Sequence, residues 1–154
     1  MYEGDERSQL NLRLFRIWSK AAGAVFHNIK NDIESYGISM ENFMILELLY
    51  SKGPHTIQRI SEILSIPSGS ITYVVDKLEK KDYVRREPSK EDRRASNVVL
   101  TDTGTELFNE IFPQHVDTIG ANLSFISDEE KERLIGMLKR IGVGAQELQP
   151  KRDQ

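Results

Sequence analysis

Between residues 77 and 94 the chain carries Lys77, Lys80, Lys81, Arg85, Arg86, Lys90, Arg93 and Arg94 against five acidic residues, a local charge of +3. Ammonium and guanidinium groups at this density can neutralise a row of anionic oxygens, and the guanidinium fork can hold two acceptors at once. Just upstream, Ser68, Ser70, Thr72 and Tyr73 offer hydroxyls that lead into Lys77, the first of these cations. Small hydroxylated side chains permit close approach to phosphate oxygens and can touch base edges or thymine methyls. Outside residues 77–94 there are 13 basic and 19 acidic side chains, so the net charge of −3 conceals an acidic body with one basic edge. Such a distribution draws a polyanion to one face only.

The elements that must carry these side chains are read from apolar periodicity. Leu10, Leu14, Phe15, Trp18, Ala21, Ala22, Val25, Phe26, Ile29 and Ile33 recur at steps of three and four, which predicts a long amphipathic helix closing near Tyr36-Gly37. Ser39 can cap a second helix whose Met40, Phe43, Met44, Leu46, Leu48, Leu49 and Tyr50 make it apolar nearly all round, hence central. After the turn Lys52-Gly53-Pro54, Thr56 caps a short helix with Ile60, Ile63 and Leu64 facing inward, and Ser65-Ile66-Pro67 breaks it. Ile71, Val75 and Leu78 then mark the buried stripe of a helix from Pro67 to about Lys81. Two short helices joined by a tight turn form a helix-turn-helix pattern.

Tyr83-Val84-Arg85-Arg86 and Ser96-Asn97-Val98-Val99-Leu100 predict a two-stranded hairpin with a long charged tip. Thr101 starts a helix with Leu107, Phe108, Ile111, Phe112, Val116, Ile119 and Leu123 on its apolar positions and a kink expected near Pro113. Ser127-Asp128-Glu129-Glu130 is a capping box opening a last helix with Leu134, Leu138 and Ile141, followed by a frayed polar tail after Gly144.

A helix fits the major groove of duplex DNA, and the residues left outside the Ile71, Val75, Leu78 stripe are Ser68, Ser70, Thr72, Tyr73, Asp76 and Lys77. The competing reading is an ordinary solvated helix face. The hairpin tip adds Lys90, Arg93 and Arg94, and arginine is drawn to the negative potential of a narrow minor groove. Asp92 stands where it could orient one of those guanidiniums. The plainer alternative is a surface ion-pair cluster.

The run Asp92-Arg93-Arg94-Ala95-Ser96-Asn97-Val98-Val99-Leu100-Thr101-Asp102-Thr103-Gly104 resembles the wing signature of the MarR family of bacterial transcriptional regulators. Val75-Asp76-Lys77-Leu78-Glu79-Lys80-Lys81 resembles the end of that family's recognition helix, and the likeness extends from about Leu10 to Ile141. It implies a mainly α, α+β winged helix: one domain over 1–154, with a winged helix-turn-helix at about 39–101 and dimerisation helices at about 8–36 and 102–145. It also implies a homodimer on a palindromic double-stranded operator, with the helix from Pro67 in the major groove and Arg94 in the minor groove. Asp92 would hold the wing, and Arg86 would contact phosphate. Asp82 departs from the pattern, which often has glycine there, and must take the left-handed conformation at some cost.

The resemblance further implies a repressor released by a small aromatic or lipophilic effector, with Trp18, Phe26 and Phe43 bordering its cavity. Aromatic residues at helical spacing are also what a plain core contains. The chain has no cysteine, which removes disulfides, thiolate metal sites, thiol nucleophiles and cysteine-based peroxide sensing. His27, His55 and His115 fall on different elements without metal-ligand spacing, so no metal or other cofactor is expected. Glu129, Glu130 and Glu132 read as a dipole-favourable first helical turn. No catalytic triad or phosphate-binding glycine loop is present, so catalysis is not expected. No apolar run reaches the ~18 residues of a membrane span and the first residues are unlike a signal peptide, so a cytoplasmic protein is expected. The function reading is a sequence-specific DNA-binding regulator; the alternative is a winged-helix protein-interaction module that does not bind DNA.

Overall fold

Asp5 accepts the Ser8 backbone N–H at 2.7 Å and so opens the first helix, α1 (Glu6–Ser35), in a computed structural model that describes residues 4–148. α1 ends as its sequence predicts: Gly37 takes φ 72°, the left-handed conformation that reverses the chain at little cost. Ser39 then caps α2 (Met40–Lys52), in which Phe43, Ile45, Leu46, Leu48 and Leu49 are buried. Thr56 caps α3 (Ile57–Leu64), and after the left-handed Ser65 the chain enters α4 (Ser68–Lys80). Ile71, Val75 and Leu78 of α4 are buried as their spacing predicts. Ile60 is buried too, but Ile63 is exposed, because it lies about a quarter turn round the helix from the face shared by Ile57, Ile60 and Leu64.

The hairpin is part of a three-stranded antiparallel sheet, one strand more than the sequence predicts. β1 (His55–Thr56), β2 (Val84–Pro88) and β3 (Ser96–Leu100) are arranged in the order β1-β3-β2. β2 pairs with β3 from Val84↔Leu100 to Pro88↔Ser96, while β1 adds only His55↔Val98 and Thr56↔Asn97. Two residues are too few to show an alternating pattern, so β1 leaves no trace in the sequence.

Helix α5 (Asp102–Asn122) continues through Pro113. Its buried Phe108 and Ile111 join Ile33, Phe43, Leu46, Leu49, Val75, Leu78, Val84 and Val98 in the central hydrophobic cluster. The chain divides into two compact units, one ending at Ile119 and the other beginning at Gly120. The second contains α6 (Asp128–Glu147), opened by the expected capping box in which Ser127 and Glu130 bond each other's backbone N–H groups. α6 runs past Gly144, where a tail was expected to begin, since Ala145, Gln146 and Glu147 all favour helix. Residues 149–154 of that tail lie outside the described residues. Among the described residues, no helix is long and apolar enough to cross a membrane.

Candidate nucleic-acid interface

The hairpin tip is built around Ser89, a buried serine that the sequence reading passed over. Its Oγ accepts the backbone N–H groups of Glu91 and Asp92, both at 3.3 Å, while its own N–H donates to the Ala95 carbonyl at 3.0 Å. Ala95 N–H in turn donates to the Asp92 carbonyl. These bonds tie the two ends of the tip together and brace the loop from within. Asp92 was expected to orient a guanidinium; its Oδ1 instead accepts the backbone N–H of Arg94 at 2.9 Å. It therefore fixes the base of the Arg94 side chain and leaves the fork unengaged. Lys90, Arg93 and Arg94 are exposed and make no ion pair among the described residues.

On α4, Ser68 and Ser70 are exposed in the first turn, beyond a Pro67 cap that contributes no side-chain acceptor. Thr72 is half-buried and its hydroxyl donates to the Ser68 carbonyl at 3.0 Å, which directs it along its own helix. Tyr73 is 61% exposed, and Lys77 Nζ lies 4.4 Å from the centre of its ring. That cation–π contact holds the ammonium on the outer face of the helix.

Arg86 differs from the other cations. One guanidinium nitrogen donates to Asp76 Oδ1 at 2.6 Å and another to Glu79 Oε1 at 2.9 Å, and its backbone N–H donates to Glu79 Oε2 at 3.2 Å. The hydrogen bond to Asp76 raises its pKa above the ordinary arginine value; partial desolvation opposes this, and the charges of Glu79 and Asp76 add to it. Both carboxylates are one helical turn apart on α4, and neither was singled out as a site residue from sequence. The signal was present in the i, i+3 spacing of two acids on a helix that precedes a basic strand.

Where wing and α5 meet, the signature residues close a junction. Asp82 does adopt the left-handed conformation, at φ 61°. Its carbonyl accepts the Thr101 hydroxyl, whose oxygen accepts the Gly104 N–H at 3.0 Å, while Thr101 N–H donates to the Tyr83 carbonyl at 3.1 Å.

The three aromatic residues assigned to an effector cavity occupy different environments. Phe43 is only 3% exposed and packs on Phe108 and His115, whereas Trp18 and Phe26 stand out from α1, Phe26 at 69% exposure. A groove of about 500 Å³ lies elsewhere, between α2 and α4, bordered by Ile45, Ile66, Ser70 and Tyr73. Among the described residues, no three His, Asp or Glu side chains gather in a way that could hold a metal ion. His115 is instead buried and bonded to Asp32 at 2.8 Å.

This architecture has close counterparts. The HTH-type transcriptional regulator MhqR of Bacillus subtilis (strain 168) is 39% identical over 144 residues, covering 94% of this chain and 99% of that protein. The crystal structure of AbsC, a MarR family transcriptional regulator from Streptomyces coelicolor, superposes with a TM-score of 0.80 at 20% identity, over 95% of this chain and 99% of AbsC. Sco3205 of the same organism, solved in complex with DNA, gives a TM-score of 0.79 at 22% identity, over 98% and 97%. The sequence profile of the MarR family matches residues 38–96, which span α2, the helix-turn-helix, β2 and the hairpin tip up to the first residue of β3. With a signature, a fold and a near full-length relative in agreement, the chain belongs to the MarR family of DNA-binding transcriptional regulators, which are not enzymes.

Proposed function

We propose that this regulator is a homodimeric repressor, cytoplasmic and acting as one functional domain over its whole length, that grips a two-fold-symmetric duplex site. The observation that carries the reading is the wing tip: three cations without an ion pair, on a loop braced by its own hydrogen bonds, in a chain whose α4 opens on an exposed hydroxylated turn. In this reading Ser68, Ser70, Tyr73 and Lys77 enter the major groove, with Thr72 behind them. Lys90, Arg93 and Arg94 reach the minor groove, and Asp92 holds the loop that presents them.

Dimerisation is supported by apolar surface that a monomer would leave in water. Leu10, Leu14, Phe15, Ile17 and Phe26 on α1 are all more than half exposed, and α6 separately exposes Leu134, Ile135, Met137, Leu138 and Ile141. Two winged helices related by a two-fold axis can read half-sites ~34–36 Å apart. The effector is a small aromatic or lipophilic molecule, a choice supported by the family resemblance and by the exposed Trp18 and Phe26 on α1. Such a ligand must prefer the conformation that fits DNA poorly.

The test is fluorescence anisotropy against duplexes enriched from random sequence, at two salt concentrations. A palindromic site with a steep salt dependence is the expected result. A folded dimer that selects no duplex would transfer the assignment to a protein-interaction module.

A further inference from the structure

Asp76 and Glu79 put two carboxylates on the helix that faces DNA, where they would repel the phosphate backbone. Both are spent on one guanidinium, that of Arg86 in β2, at 2.6 and 2.9 Å. Glu79 also accepts the Arg86 backbone N–H, at 3.2 Å, and β2 is an edge strand whose outward donors otherwise face solvent. Three hydrogen bonds from a single residue thus tie the middle of the wing strand to the last turns of α4. The Arg86 side chain is 28% exposed, and two of its nitrogens already point at carboxylates rather than outward.

From this geometry we infer that Arg86 is a positioning residue: it braces the wing against the recognition helix through Asp76 and Glu79, and does not itself hold a phosphate. The inference rests on the DNA-binding reading above and deepens it. Major-groove and minor-groove contacts can form together only if α4 and the tip keep a fixed offset. A planar fork that bridges two acids sets that offset in a way a point charge cannot. The bridge also offsets one of the two negative charges, so that turn of the helix presents −1 to the duplex where two unpaired acids would present −2.

The test uses the full chain and a fluorescein-labelled duplex that the wild-type protein has recovered from a random library. Binding is titrated at several salt concentrations, with a thermal melt of every variant. Arg86→Gln and Arg86→Lys are both expected to weaken binding about tenfold, the lysine failing because it keeps the charge but loses the fork. The salt slope of Arg86→Gln is expected to match wild type, since no phosphate contact is lost.

Asp76→Ala gives the sharper outcome. Deleting a negative charge beside DNA should strengthen binding on electrostatics alone; a brace predicts weaker binding to the selected duplex instead. Because Asp76 is half exposed, this variant keeps the test intact if an Arg86 variant does not fold. Full activity in Arg86→Lys, a salt slope reduced by about 0.9 in Arg86→Gln, or tighter specific binding by Asp76→Ala would each make Arg86 a phosphate contact and overturn the inference. Failure of the wild-type chain to recover any duplex would instead remove the DNA-binding reading beneath it.

Discussion

Nδ1 of His115 on α5 lies 2.8 Å from Oδ2 of Asp32 on α1, a bond that closes across 83 positions of sequence. The other carboxylate oxygen of Asp32 accepts the Tyr36 and Thr118 hydroxyls, both at 2.7 Å, so one nearly buried acid receives three donors. Burial pushes the Asp32 pKa up, but the hydrogen bonds from His115, Tyr36 and Thr118 outweigh it and hold the carboxyl below its ordinary value. The Tyr36 phenol moves the opposite way, held far above its usual value by burial and then by the bond to Asp32. Phe43 closes the cluster from α2, its ring centre 4.6 Å from that of His115.

Asp32→Asn is therefore expected to cost about 1–3 kcal/mol at neutral pH, as buried donors lose a charged acceptor. A carboxyl with a depressed folded-state pKa stabilises fully above its unfolded value of ~3.9, and that contribution is lost as pH falls through the lower folded value. Urea unfolding of both proteins at pH 7 and pH 3 checks this: the gap should be full at pH 7 and shrink in acid. A constant gap would mean that lost packing, not the ionised carboxylate, sets the cost.

Gly104 is the site where a single methyl group should be felt most. A Cβ there would stand 2.3 Å from the Tyr83 carbonyl oxygen and 2.9 Å from Leu100 Cδ1. The oxygen belongs to backbone that also accepts the Thr101 N–H, so it has little freedom to retreat. Gly104→Ala should lower stability by about 1–3 kcal/mol by equilibrium unfolding, although alanine is the better helix former.

Arg94→Ala should weaken duplex binding by more than ~1 kcal/mol and reduce the salt slope by about 0.9, with the melting temperature unchanged. The side chain is exposed and unpaired, and only its backbone N–H is engaged, by Asp92. Anisotropy titration beside a thermal melt separates the two effects, and equal affinity in mutant and parent would discard the wing assignment.

Leu138→Asp should lower dimerisation and DNA affinity together. Leu138 lies on the apolar face of α6, and a carboxylate placed in an interface without a partner is strongly unfavourable. Sedimentation at several concentrations, combined with duplex titration, reads both quantities. A tight-binding monomer would defeat the dimer proposal.

The helices were largely legible because long stripes such as Ile71, Val75 and Leu78 repeat over several turns, and caps such as Ser39, Thr56 and Ser127 sit at their starts. The left-handed Asp82 was legible too, from its place in a recognisable signature. What escaped depends on contacts distant in sequence. β1 is two residues long and exists only because β3 lies beside it. Asp32 looked like one more acid on a helix until α5 delivered His115 to it. Ser89 was one polar residue in a polar loop, and its burial comes from the curl of the loop around it. Arg86 was identified as a basic residue in the right strand, but a count of charges could not show that its fork would be occupied by Asp76 and Glu79.

The central place of β3 has a consequence for how the lobe opens. Val98 is paired to Arg86 on one side and His55 on the other, so neither neighbour can peel away and free it alone. The first residues of α3 follow directly from β1, and the tip follows directly from β2, so two surfaces far apart in sequence share one spine. Brief openings that expose one edge leave the other in register as a template for reclosing. The strand that leads into the helix-turn-helix and the strand that carries the wing thus keep their register through the same five residues of β3.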